Sequence, residues 1–385
     1  MNNPNTVKMN KNGKLVIMQV SDPQDMKYVR KAMVKMLDKA YDKVKPDLVL
    51  FTGDNILGNH LLDARIGNRQ IAQGKEATYE IMKASINHIC APLEKRNIPF
   101  AMIYGNHDDR NLVSKDEQAD IYRSYSCCLP MNDGANGLDC DTYNIPVLSS
   151  DGSKTVFNLW MLDSAWYDKE ADRTFEEVKK ETVEWYKATS AQLRDLNGGK
   201  NVDSLMFLHI PLPETENLVE PCMPDDEGAV KFAHHPLKGW RRLKPDMARG
   251  VISEGPCMLS NSNGLFDAVL ECGDVRAIVT GHDHLNSFEG NYKGVDFIQT
   301  ACASFRCYGN NCRGVRVFVI DENNPADYVT YTLDYFEICG NGIPETLRYY
   351  WDADEHEKKK LALLGSAGAA AAAGIIYSLV KRRKR

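Results

Sequence analysis

Tyr104-Gly105-Asn106-His107-Asp108-Asp109-Arg110 follows directly on the apolar run Pro99 to Ile103 and reads as the polar end of a buried strand. Such an ending sets an amide oxygen, an imidazole and a carboxylate together on the carboxyl edge of a sheet, where ligands collect in open α/β folds. Other short hydrophobic runs end in the same way, at Ser21-Asp22-Pro23-Gln24, Thr52-Gly53-Asp54-Asn55, Leu208-His209-Ile210 and Thr280-Gly281-His282-Asp283-His284. Separate strands therefore bring Asp, Asn and His side chains to one rim. That is the donor inventory of a hydrolytic site built on two metal ions.

Around these ends the chain alternates strand and helix. Leu15 to Val20 is a nearly continuous apolar run, suited to a strand covered on both faces. Tyr28 to Val44 places Val29, Met33, Met36, Leu37 and Tyr41 at helical spacing, and Asp47 to Thr52 gives a second strand, so a right-handed β-α-β unit opens the fold. After the loop Asn55 to Asn68 a helix runs through Lys95, and Ser114 is an N-cap candidate for a helix ending at Tyr125. Alternating segments at Thr142 to Val147 and Val156 to Asp163 predict strands of a second sheet. A helix at Thr182 to Leu196, closed by Asn197-Gly198-Gly199, precedes a strand at Ser204 to Leu208. A helix at Gly264 to Glu271 and strands at Val275 to Thr280, Val295 to Gln299, Val315 to Ile320 and Tyr328 to Tyr335 complete the body. Pro211 to Asn263, rich in Pro, Gly and charge and nearly aperiodic, reads as an insertion or lid loop.

At 385 residues and 43% hydrophobic content, the chain buries one large core or two modest ones. Eight of its 47 basic residues lie from Lys358 onward with no acid among them, leaving 39 against 53 acids, or about −14, for the rest. No basic stripe is present in that body, which argues against nucleic-acid binding. The 11 cysteines are odd in number and form no Cys-x-x-Cys pair. Met1 to Lys14 lacks the apolar core of a signal peptide, so reduced thiols are the default. Cys302, Cys307 and Cys312 are spaced too widely for a zinc ribbon, and with Cys127-Cys128 they read as small apolar packing residues.

In order, Asp22, Gly53-Asp54, Gly105-Asn106-His107-Asp108, His209 and Gly281-His282-Asp283-His284 resemble the five motifs of the calcineurin-like metallophosphoesterase superfamily, over Leu15 to Tyr335. The phrases His209-Ile210-Pro211-Leu212-Pro213-Glu214 and Asn263-Gly264-Leu265-Phe266-Asp267, running into His284-Leu285-Asn286, are similar to the branch of purple-acid-phosphatase-29-like and Dcr2-like phosphatases. The resemblance implies a four-layer α/β/β/α sandwich of two mixed sheets flanked by helices, holding two divalent metal ions. It implies that Asp22 and His284 hold the first ion, that Asn106, His209 and His282 hold the second, and that Asp54 bridges them. His107 would stand beside the leaving oxygen as acid or charge stabiliser, with Asp108 orienting it.

The first motif of that family is Asp-x-His, whereas this chain has Asp22-Pro23-Gln24. Gln24 has three readings: a ligand through its carbonyl oxygen, action through a water, or a first metal short of one ligand; Asp25 is a weaker candidate. An oxygen-richer site leans toward manganese, magnesium or iron and away from zinc. Arg110, Arg306 and Tyr308, with Phe305, lie in or near rim loops as substrate candidates, and His60 joins them because its loop follows Asp54. His88, His234, His235 and His356 read as surface or packing residues.

Leu361 to Val380 is uncharged and bracketed by Lys358-Lys359-Lys360 and Lys381-Arg382-Arg383-Lys384-Arg385, the pattern of a C-terminal membrane helix with weak, Ala-rich hydrophobicity. Its small-residue face would permit weak self-association. The chain thus divides into a polar extension (1–13), a catalytic domain (14–340, with insertion 211–263), a charged linker (341–360), a transmembrane helix (361–380) and a basic tail (381–385). The functional expectation is a dimetal phosphoesterase, foremost a phosphatase, tethered to the cytoplasmic face of a membrane. The alternatives are a phosphodiesterase acting on nucleotide or lipid head-group diesters and a non-catalytic metal-binding scaffold. A retained His107 favours catalysis, because a scaffold has no use for a proton donor beside a metal pair.

Overall fold

The computed structural model describes residues 6–58, 74–134, 136–168, 170–233, 237–354 and 358. The apolar runs form the centre of a five-stranded sheet, in which β2 (Lys14–Val20), β3 (Leu48–Thr52) and β4 (Phe100–Ile103) lie parallel. On the β2 side, β17 (Gly314–Asp321) and β18 (Val329–Asp334) add antiparallel. The second sheet is mixed and has eight strands, in the order β1 (Val7–Lys8), β5 (Tyr143–Leu148), β6 (Thr155–Met161), β9 (Ser204–Phe207), β14 (Val275–Thr280), β16 (Val295–Gln299), β15 (Ser287–Tyr292) and β13 (Ala248–Val251).

The strand period of two decides what each face buries. Phe157 and Leu159 of β6 and Phe207 of β9 share a core with Ile17, Phe51 and Phe318 of the smaller sheet. That core continues to Met33 and Met36 of α1 (Lys31–Val44) and Ile86 of α2 (Lys75–Glu94). Trp160, Met206 and Ile278 point the other way, beneath α4 (Lys180–Leu196) and α5 (Leu265–Cys272). The result is the expected four-layer sandwich. Phe207 and Phe318 meet edge to face between the sheets, ring centroids 5.9 Å apart. Ser114 caps α3 (Lys115–Arg123) in a reciprocal capping box with Glu117.

Several segments differ from the sequence expectation. The first helix begins at Lys31 rather than Tyr28, because the Asp25 carboxylate holds the Arg30 amide in an extended turn. The helix has no cap of its own. Asp352, 320 positions away, accepts from Ala32 N at 2.7 Å instead. Asp352 closes α7 (Ile343–Asp352), which together with α6 (Tyr335–Cys339) packs on α1. The stretch read as a charged linker is therefore in large part a docked helix: Tyr349 is fully buried and Glu345 pairs with Lys35 at 2.7 Å. Trp166–Asp168 (β7) and Arg173–Phe175 (β8) form an unforeseen hairpin. The aperiodic insertion also carries structure: a 3-10 turn at Pro213–Leu218, then a small antiparallel sheet of β10 (Val219–Pro221), β11 (Val230–Phe232) and β12 (Gly239–Leu243). The expected membrane helix at 361–380 lies outside the described residues, as do His60, His234, His235 and His356. Among the described residues no helix is long and apolar enough to cross a membrane.

Phe318→Ala opens a cavity between the two sheets and is expected to cost about 3–5 kcal/mol in chemical denaturation. A loss below about 1 kcal/mol would show that the sheets do not depend on this contact.

Candidate metal centre

Both sheets deliver their carboxyl ends to one rim. Asp22, Asp54 and Asn106 follow the adjacent parallel strands β2, β3 and β4, while His209 follows β9 and His282 and His284 follow β14. Backbone bonds lock the rim: Asp22 N donates to Gly53 O at 3.2 Å, Gly281 N to His209 O at 3.0 Å, and Ala303 N to Ser21 O at 2.8 Å. Asp22, Gln24, Asp54 and His282 all have positive φ, at 48°, 32°, 48° and 70°. Left-handed backbone costs a non-glycine residue on the order of 1 kcal/mol, and such strain gathers where side-chain aim matters. Here it turns each side chain inward at the end of its strand.

Two overlapping groups of donor atoms result, Asp54 with His209 and His282, and Asp22 with Asp54 and His284; within each the donor atoms lie no more than 4.8 Å apart. Asp54 belongs to both. Its Oδ2 accepts from Gln24 Nε2 at 3.0 Å and its Oδ1 from His107 N at 2.8 Å. His209 Nδ1 bonds the Thr52 carbonyl at 2.9 Å and His284 Nδ1 the Tyr308 carbonyl at 2.9 Å. Each bond places the proton on Nδ1 and turns Nε2 toward the carboxylates, 3.4 Å from Asp54 for His209 and 3.4 Å from Asp22 for His284.

The donor set fits a pair of cations. Asp22 Oδ1, Gln24 Oε1, Asn106 Oδ1 and His209 Nε2 are buried without a hydrogen-bond partner. Buried polar atoms are ordinarily satisfied, and four orphans in one place mark a site for something that accepts lone pairs. Charge points the same way. Burial works against ionising Asp54 and Asp22, but the neighbouring histidines outweigh it and hold both carboxyls below the usual range. Burial also opposes charge on His209, yet Asp54 and Asp22 raise it to about 10. Burial and the adjacent His209 push His282 down to about 3, leaving it a neutral donor. The two carboxylates demand positive charge at their centre.

The motif glycines are explained by the same crowding. A Cβ at Gly53 would fall on the His209 ring, one at Gly105 on Asp54 and on His209 Nε2, and one at Gly281 on Ser21 and Asp22. Each glycine lets a ligand side chain lie directly against the backbone.

Other candidates divide. The His107 ring and Tyr308 line a cleft of about 730 Å³ above the donors, and Tyr308 stacks on His284 with centroids 4.4 Å apart. Asp108 does not orient His107: its oxygens accept from Gly105 N at 2.6 Å and Ile56 N at 3.0 Å, and His107 Nδ1 is buried without a partner. Asp108 therefore shapes the turn that aims Asn106 and His107. Arg306 is spoken for by Asp25, Nε to Oδ1 at 2.5 Å, and by the Tyr28 carbonyl, and its pairing also removes Asp25 as a ligand. Arg110 is exposed and lies over the Tyr167 ring at 5.8 Å, away from the cleft lining. Phe305 is buried against Tyr335 and Tyr349. All 11 cysteines are free, and Cys302, Cys307 and Cys312 belong to neither donor group. Lys231, Glu254 and Cys257 of the insertion also line the cleft; no periodicity or motif singled them out.

Gly105 has no positive φ, so Gly105→Ala leaves the backbone unstrained and acts only by crowding Asp54 and His209. It is expected to lower manganese affinity ten- to a hundredfold by calorimetry, the usual range for disturbed ligand support. Unchanged affinity would show that the donors tolerate displacement.

The calcineurin-like phosphoesterase family model matches residues 15–286. The chain is 29% identical over 296 residues to the Arabidopsis thaliana protein described as probable inactive purple acid phosphatase 29, covering 72% of this chain and 65% of that one. It is 26% identical over 278 residues to the Saccharomyces cerevisiae phosphatase DCR2, covering 70% of this chain and 39% of that one. The chain thus spans less than two thirds of the length of either relative. A solved dimetal phosphatase from Danio rerio is 11% identical with a TM-score of 0.46, covering 83% of this chain and 99% of that one. With the motif residues gathered at one rim and the family model spanning most of the sandwich, the chain belongs to the calcineurin-like phosphoesterase family.

Proposed function

We propose that the protein is a dimetal-dependent phosphoesterase that hydrolyses phosphate monoesters. The observation that carries this reading is the set of unpartnered buried donors arranged on both sides of Asp54. Asp22, Gln24 and His284 would hold one ion, Asn106, His209 and His282 the other, with Asp54 shared. Bound there, two divalent ions would clamp phosphate oxygens and lower the pKa of water toward neutrality.

The chain's own residues supply the rest. Gln24 gives its amide N–H to Asp54, which leaves its buried Oε1 as the donor where the family has an imidazole. The Thr52 and Tyr308 carbonyls take the Nδ1 protons, so both histidines turn Nε2 inward, where a cation would displace the Nε2 proton and use its lone pair. His107, fixed through its backbone on Asp54 and with its ring in the cleft, is placed to give a proton to the leaving oxygen. The yeast relative is described as a phosphatase and the plant relative as probable inactive; unpartnered donors on both sides of Asp54, with Gln24 in the place of the imidazole, favour activity here.

The uncharged run Leu361 to Val380 supports attachment of the catalytic domain to a membrane, for which we propose the cytoplasmic face, and weak self-association through its small residues; the basic clusters at both of its ends do not choose the face. Removal of residues 358–385 is expected to move the protein from the membrane pellet to the supernatant. An unchanged distribution would dismiss the anchor.

The catalytic reading is tested on protein reconstituted separately with manganese, iron, magnesium and zinc. Two metals per chain and faster turnover of p-nitrophenyl phosphate than of bis(p-nitrophenyl) phosphate are expected. The reverse preference would indicate a diesterase, and no turnover with any metal a scaffold. Asp54→Ala should abolish both metal pairing and activity, whereas His107→Ala should keep the metals and lose roughly two to four orders of magnitude in kcat. Loss of metal in His107→Ala would overturn its assignment.

A further inference from the structure

One wall of the cleft comes from the insertion, and it is fastened to the metal-binding loop. Asn286 Oδ1 accepts from Ser253 N at 2.9 Å and Glu254 N at 3.1 Å, while its Nδ2 donates to Glu254 O at 3.1 Å. Asp283 Oδ1 accepts from Cys257 N at 3.0 Å, and Glu254 Oε1 from Leu285 N at 2.8 Å. Asp283 and Asn286 flank the donor His284 and bond residues 253–257, and Glu254 returns a bond to Leu285 beside it. That segment in turn seats β11: Phe232 is buried, and a Cβ at Gly255 would stand 3.0 Å from its ring. Lys231, the neighbour of Phe232, is thereby presented from a fixed wall and not from a swinging lid.

Lys231 is exposed and is the one Lys or Arg among the described residues lining the cleft. No salt bridge engages it among the described residues, and the carboxylates of Glu254 and Asp283 already accept backbone amides. The cleft, at about 730 Å³, has room for much more than a phosphoryl group. Leu57 and the half-exposed Tyr308 line the same cleft and offer apolar surface to a carbon skeleton.

We propose that the preferred substrates carry a second anionic group beyond the scissile phosphate and that Lys231 binds it. The proposal rests on the phosphoesterase reading and names its substrate class. A neutral leaving group would use the metal donors alone, whereas an anionic one would gain the additional ion pair.

The test compares the manganese-loaded protein on 4-carboxyphenyl phosphate and on 4-(methoxycarbonyl)phenyl phosphate, whose difference as leaving groups cancels when the ratio of the two is compared between variants. The ratio of kcat/KM for the acid to that for the ester is expected to fall roughly fivefold in Lys231→Ala, the scale of a solvent-exposed ion pair, and to be retained in Lys231→Arg. A ratio equal in all three proteins would overturn the proposal. No turnover of either compound by the unaltered protein would overturn the phosphoesterase reading, and this proposal with it.

Discussion

A buried carboxylate shared between two groups of donors, Asp54, is the constraint on which the rest of the molecule turns. Two like charges, Asp22 and Asp54, are held together at the bottom of a cleft where neither has water. Burial alone would drive such a pair toward protonation, and only positive charge between them keeps both ionised. His209 and His284 supply part of that charge, and their Nδ1 bonds to backbone carbonyls hold the rings so that Nε2 faces the acids. Two cations would satisfy the same demand more completely.

The sandwich exists in a form that serves this arrangement. Parallel strands from the smaller sheet and parallel strands from the larger one end at the same level because the sheets pack face to face through residues such as Phe207 and Phe318. Left-handed backbone at Asp22, Asp54 and His282 then directs the side chains into the shared space. Glycines 53, 105 and 281 remove the Cβ atoms that would otherwise occupy it. Stability is given up locally to aim the donors, and the surrounding core compensates.

Much of this was legible in the amino-acid order. Polar residues placed immediately after apolar runs announce strand ends, so most strands were read to within a few residues, as was the Ser114 cap. The rest depended on partners remote in sequence. Arg306 looked available for substrate because Asp25, which binds it, lies 281 positions away. The charges of 341–360 resembled a linker because Glu345 and Asp352 are used by Lys35 and Ala32. The strands of the insertion are short and half exposed, and they gain order from pairing with one another, as Lys231 does with Trp240, so they carry no period of their own. Asp108 departs from its expected role for a local reason: whether its carboxylate meets a ring or an amide is decided by the loop's conformation, which residue type does not reveal.

The most direct measurement is anomalous diffraction from crystals of the manganese-loaded protein. Two peaks are expected, one on each side of Asp54 and both within bonding distance of its carboxylate, with Gln24 Oε1 beside the ion that Asp22 and His284 would hold. A single peak, or ions bound away from Asp54, would contradict the shared role of Asp54.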